Sequence, residues 1–232
     1  MSKGRGRRRS GVALAVACTL ACAVVAVIAT AAAAAGNDDA IERKAVLRAT
    51  DFPAGWEKAS RRDPTDSGLD VCDGIDGVNA ALVPISTRSP NFVRPDTDNV
   101  LANGSVVVLK STKQARGYLE PYREPDAVRC LETITETALT DAGYTAVSVY
   151  ATPSTDVPAG ADDAAGFDLQ ITLTSAVVTG RPDVTAVIYE DVVVVRVGRA
   201  LASFSFLNPE RSLPDRDELV DAVIGRLEGS FS

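Results

Sequence analysis

Apolar and polar positions change period along the chain. Ile41, Ala45 and Leu47 predict a short helix through Ala49, which Asp38 or Asp39 can cap. The segment Asp51-Phe52-Pro53-Ala54-Gly55-Trp56 stops it, because a residue before proline avoids helical geometry. Ile75, Val78 and Leu82 recur at three and four and predict another short helix. Residues 104–110, with Val106, Val107, Val108 and Leu109, read as a buried strand. Ser111 then caps a helix with Ala115, Tyr118 and Leu119 inward, broken by Pro121 and Pro125. Asp126 caps a longer helix with Val128, Leu131, Ile134, Ala138 and Ala142 on one stripe, closed by Gly143.

From Tyr144 the period is two. Val147 and Val149 alternate with Ser148 and Tyr150, and Phe167, Leu169, Ile171 and Leu173 alternate with Asp168, Gln170, Thr172 and Thr174. Both read as half-buried strands. Residues 184–197 predict a long strand in which Glu190-Asp191 mark a bulge or an exposed point. Gly198-Arg199 turns it tightly into residues 200–207. Ser212-Leu213-Pro214-Asp215 opens a last helix with Leu219, Val220, Val223, Ile224 and Leu227 on its stripe and Gly229 at its end. Residues 57–71, 84–99 and 153–165 read as loops. The expected fold is α+β: an antiparallel sheet with a C-terminal meander, packed against helices.

The N-terminus is of another kind. Lys3, Arg5, Arg7, Arg8 and Arg9 precede a charge-free run of 25 residues, 11–35. A positive cluster before an apolar run holds the N-terminus on the cytoplasmic side. Three fates are open: a cleaved signal peptide, with small residues at 31–35; a retained single-pass anchor, since a bilayer needs roughly 20 helical residues; or lipidation at Cys22, disfavoured by Thr19 three places before it. Residues 1–35 are therefore a signal peptide or membrane anchor. Residues 36–232 form a single extracytoplasmic domain, secreted or anchored to the cell membrane. The chain carries −7 and its first 35 residues +5, so the exported part carries −12. That charge repels phosphate backbones and argues against a nucleic-acid partner.

Only Cys72 and Cys130 lie in the exported part. Two thiols in an oxidising compartment pair, so one disulfide is expected. Histidine is absent from the chain. This excludes Ser-His-Asp and Cys-His catalysis and the common zinc sites. No Gly-x-Ser-x-Gly or Ser-x-x-Lys motif occurs. Asp63, Asp66, Asp70 and Asp73 do not follow calcium-loop spacing, and no metal or cofactor is expected. Glu190 and Asp191 are adjacent and face opposite sides of a strand, so they cannot flank one bond. Asn103-Gly104-Ser105 matches a glycosylation acceptor.

The run from Leu47 to Trp56, the placement of Cys72 and Cys130, the strand and turn at 192–198 with Arg196, and a closing helix resemble the extracytoplasmic sensor domains of mycobacterial PknH-type serine/threonine kinases. They also resemble related actinobacterial secreted proteins and lipoproteins. The resemblance spans roughly residues 40–230 and rests on short motifs. It implies an α+β fold with a groove between sheet and helices, and ligand binding without catalytic residues. The family's second disulfide has no cysteines here, and no kinase domain is present in this chain.

The expected function is a non-catalytic ligand-binding or sensor-like module of the bacterial cell envelope. Its partner would be a small molecule, glycan or lipid of the envelope, with the membrane as a second partner if the N-terminal segment is uncleaved. Groove candidates are Tyr118, Tyr122, Arg123 and Trp56, because a tyrosine pair beside an arginine suits a sugar or acyl ligand. Two alternatives are a secreted hydrolase using paired carboxylates and an envelope scaffold acting through protein contacts.

Overall fold

A computed structural model describes residues 37–59, 87–95, 100–175, 184–210, 213 and 215–231. The N-terminal segment, the acidic loop at 63–73, Cys72 and the helix predicted over 75–82 lie outside the described residues. The described elements are α1 (Asn37–Ala45), β1 (Glu57–Ala59), β2 (Thr87–Arg88), β3 (Asn91–Val93) and β4 (Leu101–Val108), followed by α2 (Thr112–Leu119) and α3 (Pro125–Asp141). The meander β5 (Tyr144–Ser154), β6 (Asp163–Ser175), β7 (Val184–Val197) and β8 (Ala200–Asn208) leads into α4 (Arg216–Phe231).

The strands form one antiparallel sheet in the order β1-β3-β4-β8-β7-β6-β5, with β2 paired to β4 beside this path. The fold is α+β with a large antiparallel sheet, as the change of period implies. Its meander places β4 against β8, so residues about a hundred apart in sequence, such as Ser105 and Ser203, become neighbours. Helices cover both faces. On the front face, α1 and α4 pack over Val106, Val108, Val193, Val195, Phe204 and Phe206. On the back face, α3 packs over Leu101, Phe167, Leu169, Val192 and Leu207, and α2 over Val107, Val194 and Leu201. Phe204 and Phe206 stack at 5.9 Å, and fully burying each ring contributes about 2–3 kcal/mol. A chain with few aromatics therefore concentrates them at the centre of the front face.

Polar anchors fix α1 and α4, the first and last described helices. Arg226 on α4 holds both Asp51 carboxylate oxygens at 2.8 Å and donates to the carbonyls of Ala45 and Val46 at the end of α1. Arg199 holds Asp38 in the same forked way, which keeps the Asp38 carboxyl below its ordinary range. Glu42 reaches from α1 to accept from the Val108 amide at 2.9 Å and the Thr87 hydroxyl at 2.8 Å. The free edge of the sheet at β5 is also covered. Glu136 and Glu132 of α3 accept from the Val149 and Ala151 amides, at 3.1 and 2.9 Å. Four residues along a helix and two along a strand both advance about 6–7 Å, so one helix face matches alternate edge amides.

Several local expectations are corrected. The first helix ends at Ala45, and residues 84–99 contain β2 and β3. The stripe of α3 is rotated: Ala127, Ile134, Thr135 and Leu139 are buried, while Ala142 is exposed. Glu124 stands at its N-cap without a side-chain bond, and Pro125 rather than Asp126 opens it. Gly229 does not end α4, which continues to Phe231. Glu190-Asp191 is neither bulged nor exposed: the β6–β7 register runs unbroken through both, and both are buried. Ser111 caps α2 as expected, accepting from the Gln114 amide at 3.2 Å.

Candidate functional site

The central strands β4 and β8 are buried at every position, so their polar residues lie inside the molecule. Side chains alternate between faces along a strand. Leu101, Val107, Leu201 and Leu207 belong to the back-face clusters, which places Asn103, Ser105, Ser203 and Ser205 on that face too. Asn103 pairs in register with Ser205, and Ser105 with Ser203. On β7, Val192 and Val194 belong to the same face, and so does Glu190. The result is a polar seam across three strands, between the apolar cluster under α3 and the one under α2.

Its chemistry centres on Glu190, which is fully buried. Ser205 Oγ donates to Glu190 Oε1 at 2.7 Å. Burial pushes the Glu190 carboxyl up to about 7; the Ser205 hydrogen bond opposes this shift and the neighbouring Asp191 charge adds to it. Ser105 and Ser203 share a hydrogen bond at 2.8 Å. Glu190 Oε2 and Asn103 Nδ2 are buried without a partner in the structure. They flank Ser205 from its two neighbouring strands. Asn103 offers an N–H there, and Glu190 offers an O–H in its protonated form. Such groups in a dry interior cost about 1–3 kcal/mol each until an acceptor meets them. Thr135 on α3 is a further buried group with an unpartnered hydroxyl.

The sequence candidates distribute unevenly around this seam. Tyr122 packs against both back-face clusters and so bridges the seam; its ring lies 6.1 Å from that of Phe167. Burial pushes its hydroxyl up to about 12. Tyr118 packs on the α2 cluster only. Arg123 turns away to pair with Asp163 and the Ala164 carbonyl. Trp56 is on the other side of the sheet, half-buried against the front-face core beside Phe52 at 4.8 Å. The structure thus packs Tyr122 against the two clusters that border the seam and places Trp56 on the opposite face of the sheet. Cys130 is half-buried on α3, and Cys72 is outside the described residues. Asn103 is 6% exposed in mid-strand, which removes it as a glycosylation acceptor in the folded protein. Arg196, part of the resemblance, is structural: it holds Asp162 at 3.0 Å and the Gly198 carbonyl at 3.0 Å, pinning the β5–β6 loop to the β7–β8 turn.

Glu190 and Asp191 do stand on opposite faces. Asp191 points to the front, directly across from Asp168 on β6. Burial pushes Asp191 up to about 6; Arg216 at 3.7 Å opposes this, while Asp168 adds to it by charge and by a hydrogen bond. Asp168–Asp191 is therefore the carboxylate pair that sequence spacing could not name. Among the described residues no group of three or more His, Cys, Asp or Glu side chains is arranged to hold a metal ion. No described helix is long and apolar enough to cross a membrane. Comparison with known proteins finds no matching family model and no matching curated protein.

Proposed function

We propose that this chain is an extracytoplasmic, non-catalytic binding module of the bacterial cell envelope, and that it takes a small polar ligand in the back-face seam. The N-terminal segment exports it, and Cys72 and Cys130 form its one disulfide, tying α3 to the segment before β2. In this reading the exported chain from residue 36 is one domain related to the PknH-type sensors. The observation that carries the reading is the pair of buried, unpartnered polar atoms, Glu190 Oε2 and Asn103 Nδ2, flanking Ser205 inside the fold. An acceptor-bearing ligand, such as an envelope metabolite with a carbonyl or carboxylate, relieves both. Tyr122 supplies the apolar wall beside them.

The test is native mass spectrometry of the full exported chain, purified from its host without denaturation. The expected result is a non-covalent small-molecule adduct that Glu190→Gln weakens and Asn103→Ala removes. A mass equal to the chain alone, on both sides of neutral pH, overturns the reading.

A second reading, a hydrolase using paired carboxylates, is favoured by Asp168 and Asp191 facing each other across β6 and β7. Retaining glycosidases hold such carboxyls about 5 Å apart. Release of reducing ends from a soluble glycan, abolished by Asp191→Asn, distinguishes it from binding.

A further inference from the structure

Helices α1 and α4 cover the front face over β4, β8 and the later half of β7. The front of β5 and β6, and the earlier half of β7, present a different surface. Tyr150 pairs in register with Gln170, Gln170 with Tyr189, and Tyr189 with Asn208. These four residues form one straight row across four strands. Thr152, Asp168 and Asp191 form the next row, and Ser148, Thr172 and Val187 the row on the other side. Tyr150 is 67% exposed and Val187 39%. Ser148, Thr152, Asp168 and Gln170 are also exposed, and Tyr189 is half-buried.

Back-face positions on the same strands, such as Val149, Leu169 and Ile188, are buried and apolar. A merely solvated sheet face needs polar side chains only, and most of its positions have them. Two tyrosines two strand spacings apart, hence about 9.6 Å at the backbone, with an amide between them, hydroxyls on either side and carboxylates on one, supply more. Aromatic rings pack on the C–H faces of pyranose rings, and the amide, hydroxyl and carboxylate groups between them can bond sugar hydroxyls.

We propose that this row, Tyr150–Gln170–Tyr189 with Asp168 and Thr152 beside it, binds an extended neutral polysaccharide strand running across the strands of the sheet. Charge excludes the polyanionic class. Asp168 and Asp191 dominate the adjoining row, Arg216 is held against Asp191, and the chain beyond residue 35 is strongly acidic. Polyanionic glycans and phosphate headgroups are repelled. The site lies on the opposite side of the sheet from the seam and stands independently of it.

The experiment is isothermal titration of the full chain with three neutral hexasaccharides of different linkage: cellohexaose, laminarihexaose and β-1,4-mannohexaose. Binding of at least one is expected. Tyr150→Ala and Tyr189→Ala should each weaken it about tenfold, the worth of one lost ring contact. Gln170→Ala, at an exposed position, reads the same row if the half-buried Tyr189 proves too costly to remove. Arg129→Ala, at an exposed position of α3 on the back of the sheet, should leave the affinity unchanged. Three outcomes overturn the proposal: no hexasaccharide binds at millimolar concentration; binding survives both tyrosine and glutamine variants; or a polyanionic oligosaccharide of equal length binds more tightly.

Discussion

Ser205 and Glu190 meet at 2.7 Å beneath the back-face helices, with the serine donating to a carboxyl that has no access to water. The contact joins β8 to β7 two residues off the direct pair, since Ser205 lies opposite Val192. It satisfies one carboxyl oxygen and leaves the other seeking a partner. A buried acid of this kind carries a proton near neutrality, and its consequences are measurable.

The first is in stability against pH. Glu190 is raised from 4.5 to about 7 in the folded chain. Between those values the folded state holds a proton that the unfolded state has released, so stability falls as pH rises through that window. Glu190→Gln keeps a neutral side chain and should flatten that decline. At pH 8 the variant should exceed the natural chain by about 1–3 kcal/mol. Urea titrations between pH 5 and 8 check this. An unchanged pH slope in the variant refutes a protonated Glu190.

The second concerns the clamp between α4 and the segment that follows α1. Arg226→Ala removes a forked partner from Asp51 and strands the carbonyls of Ala45 and Val46. The expected loss is about 2–4 kcal/mol. Arg226→Lys should recover only part of it, because an ammonium cannot span both carboxylate oxygens. Chemical denaturation of the three proteins decides it.

The third tests the covered sheet edge. Replacing Glu132 and Glu136 together by Ala uncovers the outward amides of Val149 and Ala151 on β5. A bare edge is a template for pairing with another chain. Size-exclusion chromatography should show concentration-dependent self-association greater than that of the natural chain.

The fourth lies in the strand contact at Gly166. A Cβ there would come within 2.2 Å of the Val192 carbonyl oxygen. Gly166→Ala must therefore push β6 from β7, at a cost of about 1–3 kcal/mol or more. A melting temperature equal to that of the natural chain contradicts so close an approach.

The candidate sites were unequally legible. Tyr122 is expected as a groove residue beside Tyr118 and Arg123, and the structure packs it against both back-face clusters. Trp56 and Arg123 shared its composition cue but face elsewhere, because a cue of residue type has no direction. Ser203 and Ser205 were illegible. They alternate with Ala202, Phe204 and Phe206, which along one strand means one wet face and one dry. Here helices close both faces, so the alternation separates two kinds of interior. The same geometry turned Glu190 from an expected exposed point into a buried acid. Tyr150 and Tyr189 are 39 positions apart, and only strand pairing aligns them with Gln170.

By itself the sequence determined the local periods: the longer helices and strands among the described residues, the alternation along β6, the tight turn at Gly198 and the absence of histidine chemistry. These follow from the backbone's own geometry and need only near neighbours. The tertiary structure alone decided which polar residues are dry and which carboxylates meet. It also decided which tyrosines share a row, because burial and cross-strand register are set by residues far away in the chain.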